Sequence, residues 1–453
     1  MKLFELGFPP ETVLAHPRHQ RTQPLLSQLI LQVRECASDQ DGVEAQRELL
    51  GHLLEVEEHR AATSRALKRI SRGMSAQAGA PEPETGGDPA LVATWQLENV
   101  VAERVARQLR SIGDMLAWRA FNYDRRFVLA LCRNDSPGPM AGKKGLAAEL
   151  RFIEDTWRDD GCFTLLHDLT NCLRIGDTTV FGTDGVRFCE IKTNRDKRVS
   201  AQLRRIEEAT RALWEGSGLP GGHPQERLHD LNVPFATHLD LLAVATEQAA
   251  NKGIFAAKVP GSRALVMVDL LGCQAQGWDA DEFSEQLDRQ HAAALRQAAI
   301  NDSRDLHVNA TSLDAVSRDP LRVPWGIYPI HPVAAARLIG DLSVVTIETS
   351  GPALAGDLQS TGIDARWTRP PSVDDLVPGE VMMELHRQSR TPAGNRVMVL
   401  SRNLQLQRSE LDRYLIEMID QDSWVAGIRY LLASDDTPGK PWPVYRNEHL
   451  VWA

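Results

Sequence analysis

The chain lacks any apolar run approaching the roughly 18 residues that a membrane span requires, so no membrane partner is expected. No charged-then-apolar leader opens it. Its six cysteines (Cys36, Cys132, Cys162, Cys172, Cys189 and Cys273) form no Cys-x-x-Cys pair, and a reduced, cytoplasmic protein follows as the expectation. Histidine is arranged no more suggestively: His223, His229, His238 and Asp240 fall at spacings that match no zinc pattern. The chain also has no excess of positive charge. Its formal net charge of −10 excludes whole-protein attraction to nucleic acid. The balance reverses locally, where Lys192, Arg195, Lys197, Arg198, Arg204 and Arg205 face Asp196 alone among the anions of that stretch. Such a run can hold a phosphate backbone by counterion release; a solvated helix start is the plain alternative.

With 453 residues, 42% of them apolar and 25% charged, the chain has area for two or three cores. Residues 1–75 read as a helical hairpin. Leu25, Leu26, Leu29, Ile30 and Val33 make one apolar pattern, and Leu49, Leu50, Leu53 and Leu54 make a second after Asp39-Gln-Asp-Gly42. The charged stretch from Glu55 to Arg72 reads as a solvated face ahead of a nucleic-acid arm. Residues 76–90, rich in Pro, Gly and Glu, read as a flexible linker. The next domain, 91–220, opens with a helical lead-in, and its Phe127–Leu131 segment fits a strand or a buried helix turn. Lys143 and Lys144, just before the first core helix, read as solvated ahead of the alternative that they reach a phosphate. Residues 230–453 form a mixed α/β region with strands at 264–271, 342–347 and 396–400, a helix begun by a capping box at Asp279-Ala-Asp-Glu282, and a helix from Ser409 to Ile419. That region has no phosphate loop, nucleophile elbow or repeat. It is the expected surface for a protein partner or for homo-oligomer formation.

The chemistry concentrates between Gly145 and Trp214. Two apolar-rich runs flank Gly182-Thr-Asp-Gly185 and predict a tight antiparallel hairpin, with Asp177 on its first strand and Glu190 and Lys192 on its second. If Thr183 and Asp184 are the central loop residues, Asp177 lies opposite Glu190, with Cβ atoms roughly 5 Å apart. If Asp184-Gly185 is the turn, Asp177 faces Lys192 instead. Both registers put the three on one face, since side chains alternate with period 2. Two carboxylates and an ammonium among Leu173, Ile175, Val180, Val186, Phe188 and Ile191 are costly unless paired or metal-bound. A divalent ion resolves that cost, and hard oxygen ligands suit Mg²⁺ or Mn²⁺. A structural ion pair of Lys192 with Asp177 or Glu190 is the plain reading beside it.

Asp, a turn, then Glu-x-Lys resembles the PD-(D/E)XK nuclease superfamily, whose restriction-endonuclease-like core is a helix, three strands and a second helix. Upstream, Leu146, Leu150, Ile153 and Trp157 stripe a helix edged by Glu149 and Glu154; Phe163–Leu166 supplies a first strand; downstream, Val199, Leu203, Ile206, Thr210 and Leu213 stripe a second helix. The resemblance covers about 70 of the 453 residues. It implies an α/β (α+β) fold with that core between an N-terminal helical region and the C-terminal mixed region. It also implies that Asp177, Glu190 and the backbone carbonyl of Ile191 hold Mg²⁺ or Mn²⁺, that Lys192 stabilises charge, that Glu149 tunes or shares the metal, and that Gln202 positions water or backbone. No iron–sulfur cluster is expected, because only Cys273 follows the core.

The expected function is metal-dependent hydrolysis of phosphodiester bonds in nucleic acid, DNA ahead of RNA, in a role such as repair or bacterial phage defence. Arg195, Lys197, Arg198, Arg204 and Arg205 are then the backbone contacts. The other reading, from a different class, is a non-catalytic nucleic-acid- or protein-binding assembly factor that keeps the fold and uses residues 230–453 as its interface.

Overall fold

The computed structural model describes residues 8–77, 89–132, 137–183, 185–192, 199–216, 218–220, 233, 235–301, 306–313, 322–369, 380–390, 396–433 and 450–452. The chain is mixed α/β and divides into two compact units. One comprises Met1–His229, Val323–Ile327 and Pro438–Ala453, the other Asp230–Arg322 and Tyr328–Thr437. Residues at the C-terminal end thus return to the first unit instead of closing the second.

The first unit begins with helices α1 (Pro10–Leu14), α2 (Pro17–Glu35), α3 (Asp39–Gln77) and α4 (Pro89–Ala120). The segment 78–88, the core of the expected linker, lies outside the described residues; residues 76 and 77 are still helical. In the stretch after Glu55 the charged residues Glu55, Glu58, Arg65, Lys68 and Arg69 are exposed as expected, but Glu57 and Arg60 are turned to another use. They line the seam with α4, where Glu57 is buried, Arg60 pairs with Glu103 at 2.9 Å, and Ser64 donates to Asn99 at 2.8 Å. Charge there is used because α3 and α4 run long enough to need polar partners along a half-wet seam.

Next come α5 (Arg125–Leu131), α6 (Leu146–Asp160), β1 (Phe163–Leu166), β2 (Thr178–Gly182), β3 (Gly185–Lys192) and α7 (Val199–Glu215). The apolar Phe127 segment is therefore helical, begun by Asp124, whose side chain accepts from Arg126 N. Phe127 stacks on Phe121 at 4.6 Å between ring centroids and meets Phe188 of β3 at 6.4 Å, while Phe163 and Phe181 stack at 5.6 Å. These rings bind helices to sheet.

The sheet of this unit has the order β1, β2, β3 and then the C-terminal strand Leu450–Trp452, which runs parallel to β3. β1 is its edge, and α3 covers that edge. Gln46 donates its amide to Thr164 O at 2.8 Å and accepts from Leu166 N at 2.9 Å, using the polar groups that an open edge leaves unpaired. The β2–β3 ladder closes at the pair Gly182–Gly185, with Phe181 opposite Val186. The hairpin therefore has the first of the two expected registers. The Asp184-Gly185 turn is overturned because Gly185, at φ 147°, is already the first strand residue.

The second unit holds two sheets. β4 (Ile254–Val259), β5 (Arg263–Asp269), β6 (His307–Thr311) and β7 (Ser343–Ser350) pair antiparallel in the order β4, β5, β7, β6. β8 (Ile363–Trp367), β9 (Val381–Arg390) and β10 (Arg396–Gln407) pair in the order β10, β9, β8. The expected capping box is present: Asp279 accepts from Asp281 N and Glu282 N at 2.9 Å each, and Glu282 accepts from Asp279 N at 3.1 Å. The helix it begins, Ala280–Gln297, packs Ala294 against Ala264 of β5. Helix Arg408–Ile416 covers most of the expected 409–419 helix. All six cysteines of the chain are free, and no helix among the described residues is long and apolar enough to cross a membrane.

Candidate functional site

The site forms where α6, the start of β2 and the end of β3 meet. Gly176 makes the approach possible: at φ 77° it is in the left-handed region, and a Cβ there would lie 3.1 Å from Cys189 O and 3.5 Å from Ile206. Asp177 follows one residue ahead of β2, not on the strand itself. Its N–H donates to Cys189 O at 2.8 Å, and its Oδ2 accepts from Ile191 N at 2.8 Å. Its carbonyl accepts from His167 N at 3.0 Å.

His167 locks this turn. Its ring is buried, with Nδ1 3.0 Å from Gly176 O and Nε2 2.7 Å from the Thr179 hydroxyl. Burial pushes the ring down to about 4, so it is neutral at physiological pH. A carbonyl can only accept; Nδ1 therefore carries the proton, and Nε2 accepts from Thr179.

Three carboxylates converge on Lys143 Nζ. Glu149 Oε1 lies at 2.8 Å, Asp168 Oδ2 at 2.7 Å and Asp177 Oδ1 at 3.5 Å. Lys143 is thus not the solvated residue the sequence suggests. Burial pulls its ammonium down, but Asp168, Asp177 and Glu149 outweigh this and hold it above its usual range. Beside this group Glu190, only 1% exposed, is paired with Lys192 two residues on. Burial first and the Asp177 charge second raise the Glu190 carboxyl, against the opposing pull of Lys192. Glu149, also 1% exposed, is pushed up to about 7 by burial and by Asp177, in spite of Lys143. With all groups ionised, four carboxylates face two ammonium groups. The carboxyls of Glu149 and Glu190 are raised by burial first and by the neighbouring Asp177 charge second.

Glu149, Asp177, Glu190 and Lys192 are therefore brought together. Gln202 stands half-buried in the first turn of α7, and the hydrogen bonds of the cluster are made without it. Ile191 is buried in β3 and contributes its N–H to Asp177. Arg204 is exposed, 3.6 Å from Glu208, and Arg205 is half-buried on the same helix. Arg195, Lys197 and Arg198 lie outside the described residues. Sequence reasoning missed Asp168 and His167, which follow β1 directly, and misread Lys143. A lysine between glycines and a strand-end Asp have no periodic signature; only their position after and before predicted elements could have marked them.

The donor set is all oxygen and carboxylate-rich, which suits a hard divalent cation. Among the described residues no group of three or more His, Cys, Asp or Glu side chains is arranged to hold a metal ion as it stands, and the cation at the convergence point is the Lys143 ammonium. The fit to Mg²⁺ or Mn²⁺ is thus one of donor chemistry and missing positive charge. Set against models of protein families, curated proteins and solved structures, the chain matches none.

Proposed function

We propose that the first unit is a divalent-metal-dependent phosphodiesterase acting on nucleic acid, with DNA as the substrate class. The observation that carries this reading is the gathering of Glu149, Asp168, Asp177 and Glu190 from four separate segments around only two ammonium groups. The order α6, β1, β2, β3, α7 and the Asp…Glu-x-Lys spacing support a restriction-endonuclease-like core of the PD-(D/E)XK type.

Asp177, Glu190 and the carbonyl of Ile191 would hold Mg²⁺ or Mn²⁺, with Glu149 sharing or tuning the site. Such an ion supplies Lewis acidity toward a phosphoryl oxygen and lowers the pKa of water. The protein's own groups do the rest. Asp177 is held by Ile191 N through one oxygen, so its other oxygen is oriented toward the cation centre without rotamer freedom. Lys192 opposes the negative charge that develops on the phosphate. Glu149, buried beside Lys143 and Asp177, would share or tune the ion from α6. The basic run from Lys192 to Arg205 would carry the phosphate backbone.

The test is incubation of the full chain with linear, circular and single-stranded DNA and with RNA, in Mg²⁺, Mn²⁺ or EDTA. Metal-dependent cleavage blocked by EDTA is expected. A protein that cuts nothing, and whose melting temperature no divalent ion changes, would instead be a binding protein in which Lys143 and Lys192 are permanent counter-ions.

A further inference from the structure

We propose that the buried pair Glu57–Arg110 is a positioning pair for the cation centre, setting the places of Lys143 and Asp168 from the helical layer beneath them. The inference rests on the phosphodiesterase reading only for what that centre does. Glu57 on α3 is 2% exposed and Arg110 on α4 is 3% exposed.

The contacts of the pair all lead to two backbone segments. Arg110 binds Glu57 Oε1 and donates to Gly138 O at 3.1 Å and, through Nε, to Asp168 O at 3.0 Å. The other oxygen of Glu57 accepts from Met140 N at 2.5 Å and Ala141 N at 2.9 Å. From Met140 the chain closes a turn in which Lys143 N donates to Met140 O at 2.9 Å, and the Lys143 side chain then meets Asp168 Oδ2 at 2.7 Å. A ring of contacts therefore runs from the ion pair along both segments and back to itself at the site. Four residues along α4 from Arg110, Asp114 accepts from Asn171 N at 2.7 Å and Cys172 N at 2.9 Å, fixing the far end of the segment that carries Asp168.

Holding two helices together does not explain this arrangement. Taking both ions out of water carries a desolvation cost, and apolar residues of similar volume join helices without it. What apolar residues cannot do is hold particular carbonyl and amide groups in place. Here the groups held are those beside Lys143 and Asp168, which meet one another at 2.7 Å at the centre. The Arg110 fork is also specific to the task, since a lysine has no planar set of donors to span Glu57, Gly138 and Asp168 at once.

The experiment uses the full chain and two variants: Arg110→Lys, and the double change Glu57→Met with Arg110→Leu, which keeps packing if the charged residue alone cannot be altered. Reductive methylation followed by mass spectrometry reads the Lys143 amine, with exposed Lys144 in the same molecule as reference. In the wild type Lys143 should react far more slowly than Lys144. In either folded variant the difference should shrink several-fold, while kcat for metal-dependent cleavage falls about 10- to 100-fold with little change in KM. Unchanged Lys143 protection in a folded variant would overturn the proposal and leave the pair as a structural clamp. A wild type that cuts nothing would sink the phosphodiesterase reading alone, because the methylation result decides the positioning role by itself.

Discussion

Ile191 donates its backbone N–H to Oδ2 of Asp177 at 2.8 Å, so the strand residue between Glu190 and Lys192 grips a carboxylate that stands one residue ahead of β2. This fixes which oxygen is free. Oδ1 is left to face Lys143 and the other carboxylates, and the position of Asp177 depends on the β2–β3 register as much as on its own turn.

Asp177→Asn keeps an oxygen that can accept from Ile191 N, so the fold should survive with a melting temperature close to wild type while metal-dependent cleavage is lost. Lys192→Ala should lose about 10²–10³ in rate, the usual cost of removing one electrostatic stabiliser, yet keep any Mg²⁺-induced change in melting temperature, since an ammonium is not a ligand. Cleavage by clean preparations of both variants would show the Asp…Glu-x-Lys reading to be wrong.

Lys143→Met leaves Glu149, Asp168 and Asp177 facing one another with no cation between them. Without divalent ions the variant should lose on the order of 3 kcal/mol of stability. With Mg²⁺ or Mn²⁺ it should regain more than the wild type gains, because an ion bound only to the native state stabilises it and no ammonium competes. Equal gains in the two proteins would mean that Lys143 and the ion do not share a place.

Two groups of the site act oppositely on the pH dependence of stability. Glu149 sits at about 7 in the folded protein in place of the ordinary 4.5, so the folded state keeps a proton that the unfolded chain has released. The stability this contributes is complete below about 4.5 and is lost as pH rises to about 7. His167, pushed from 6.5 to about 4, acts oppositely: stability is gained as pH rises from about 4 to 6.5. Glu149→Gln removes the first effect and keeps the second. Between pH 5 and 7 the variant should gain on the order of 2 kcal/mol on the wild type in denaturant titrations. Parallel curves would contradict the buried, charge-repelled state of Glu149.

Gly113 lies on α4 where a Cβ would stand 1.9 Å from Leu169 O, a backbone atom. Alanine inside a helix ordinarily stabilises by about 1 kcal/mol over glycine. Gly113→Ala should instead cost roughly 1–3 kcal/mol by forcing α4 off the segment that carries Asp168. Gly51→Ala on α3, with nothing within 4 Å of its Cβ, is the control and should stabilise. If both substitutions stabilise, the close contact of α4 with that segment is not needed.

The hairpin and its two flanking helices were legible in the chain because their signals are local. Apolar residues recur on one stripe of α6 and of α7, and glycines bracket the β2–β3 loop. The same local reasoning misled at the turn. Asp184-Gly185 is a strong two-residue signal, but pairing along the whole of β2 and β3 selected the register that closes at Gly182 and Gly185. On α3 it placed Glu55, Glu58, Arg65, Lys68 and Arg69 correctly in solvent but missed Glu57 and Arg60, which meet partners on α4.

By itself the sequence determined that Glu149, Asp177, Glu190 and Lys192 would fall on elements adjacent in the chain, since period and turn chemistry act over a few residues. Only the tertiary structure decided that Lys143 and Asp168, 25 residues apart, would share a cation centre with Asp177, and that Glu57 and Arg110 would lie beneath it. Charge interactions depend on distance and on exclusion of water, and neither exists until helices and sheet have packed. The raised carboxyl of Glu149 is therefore a property of the fold and not of the residue.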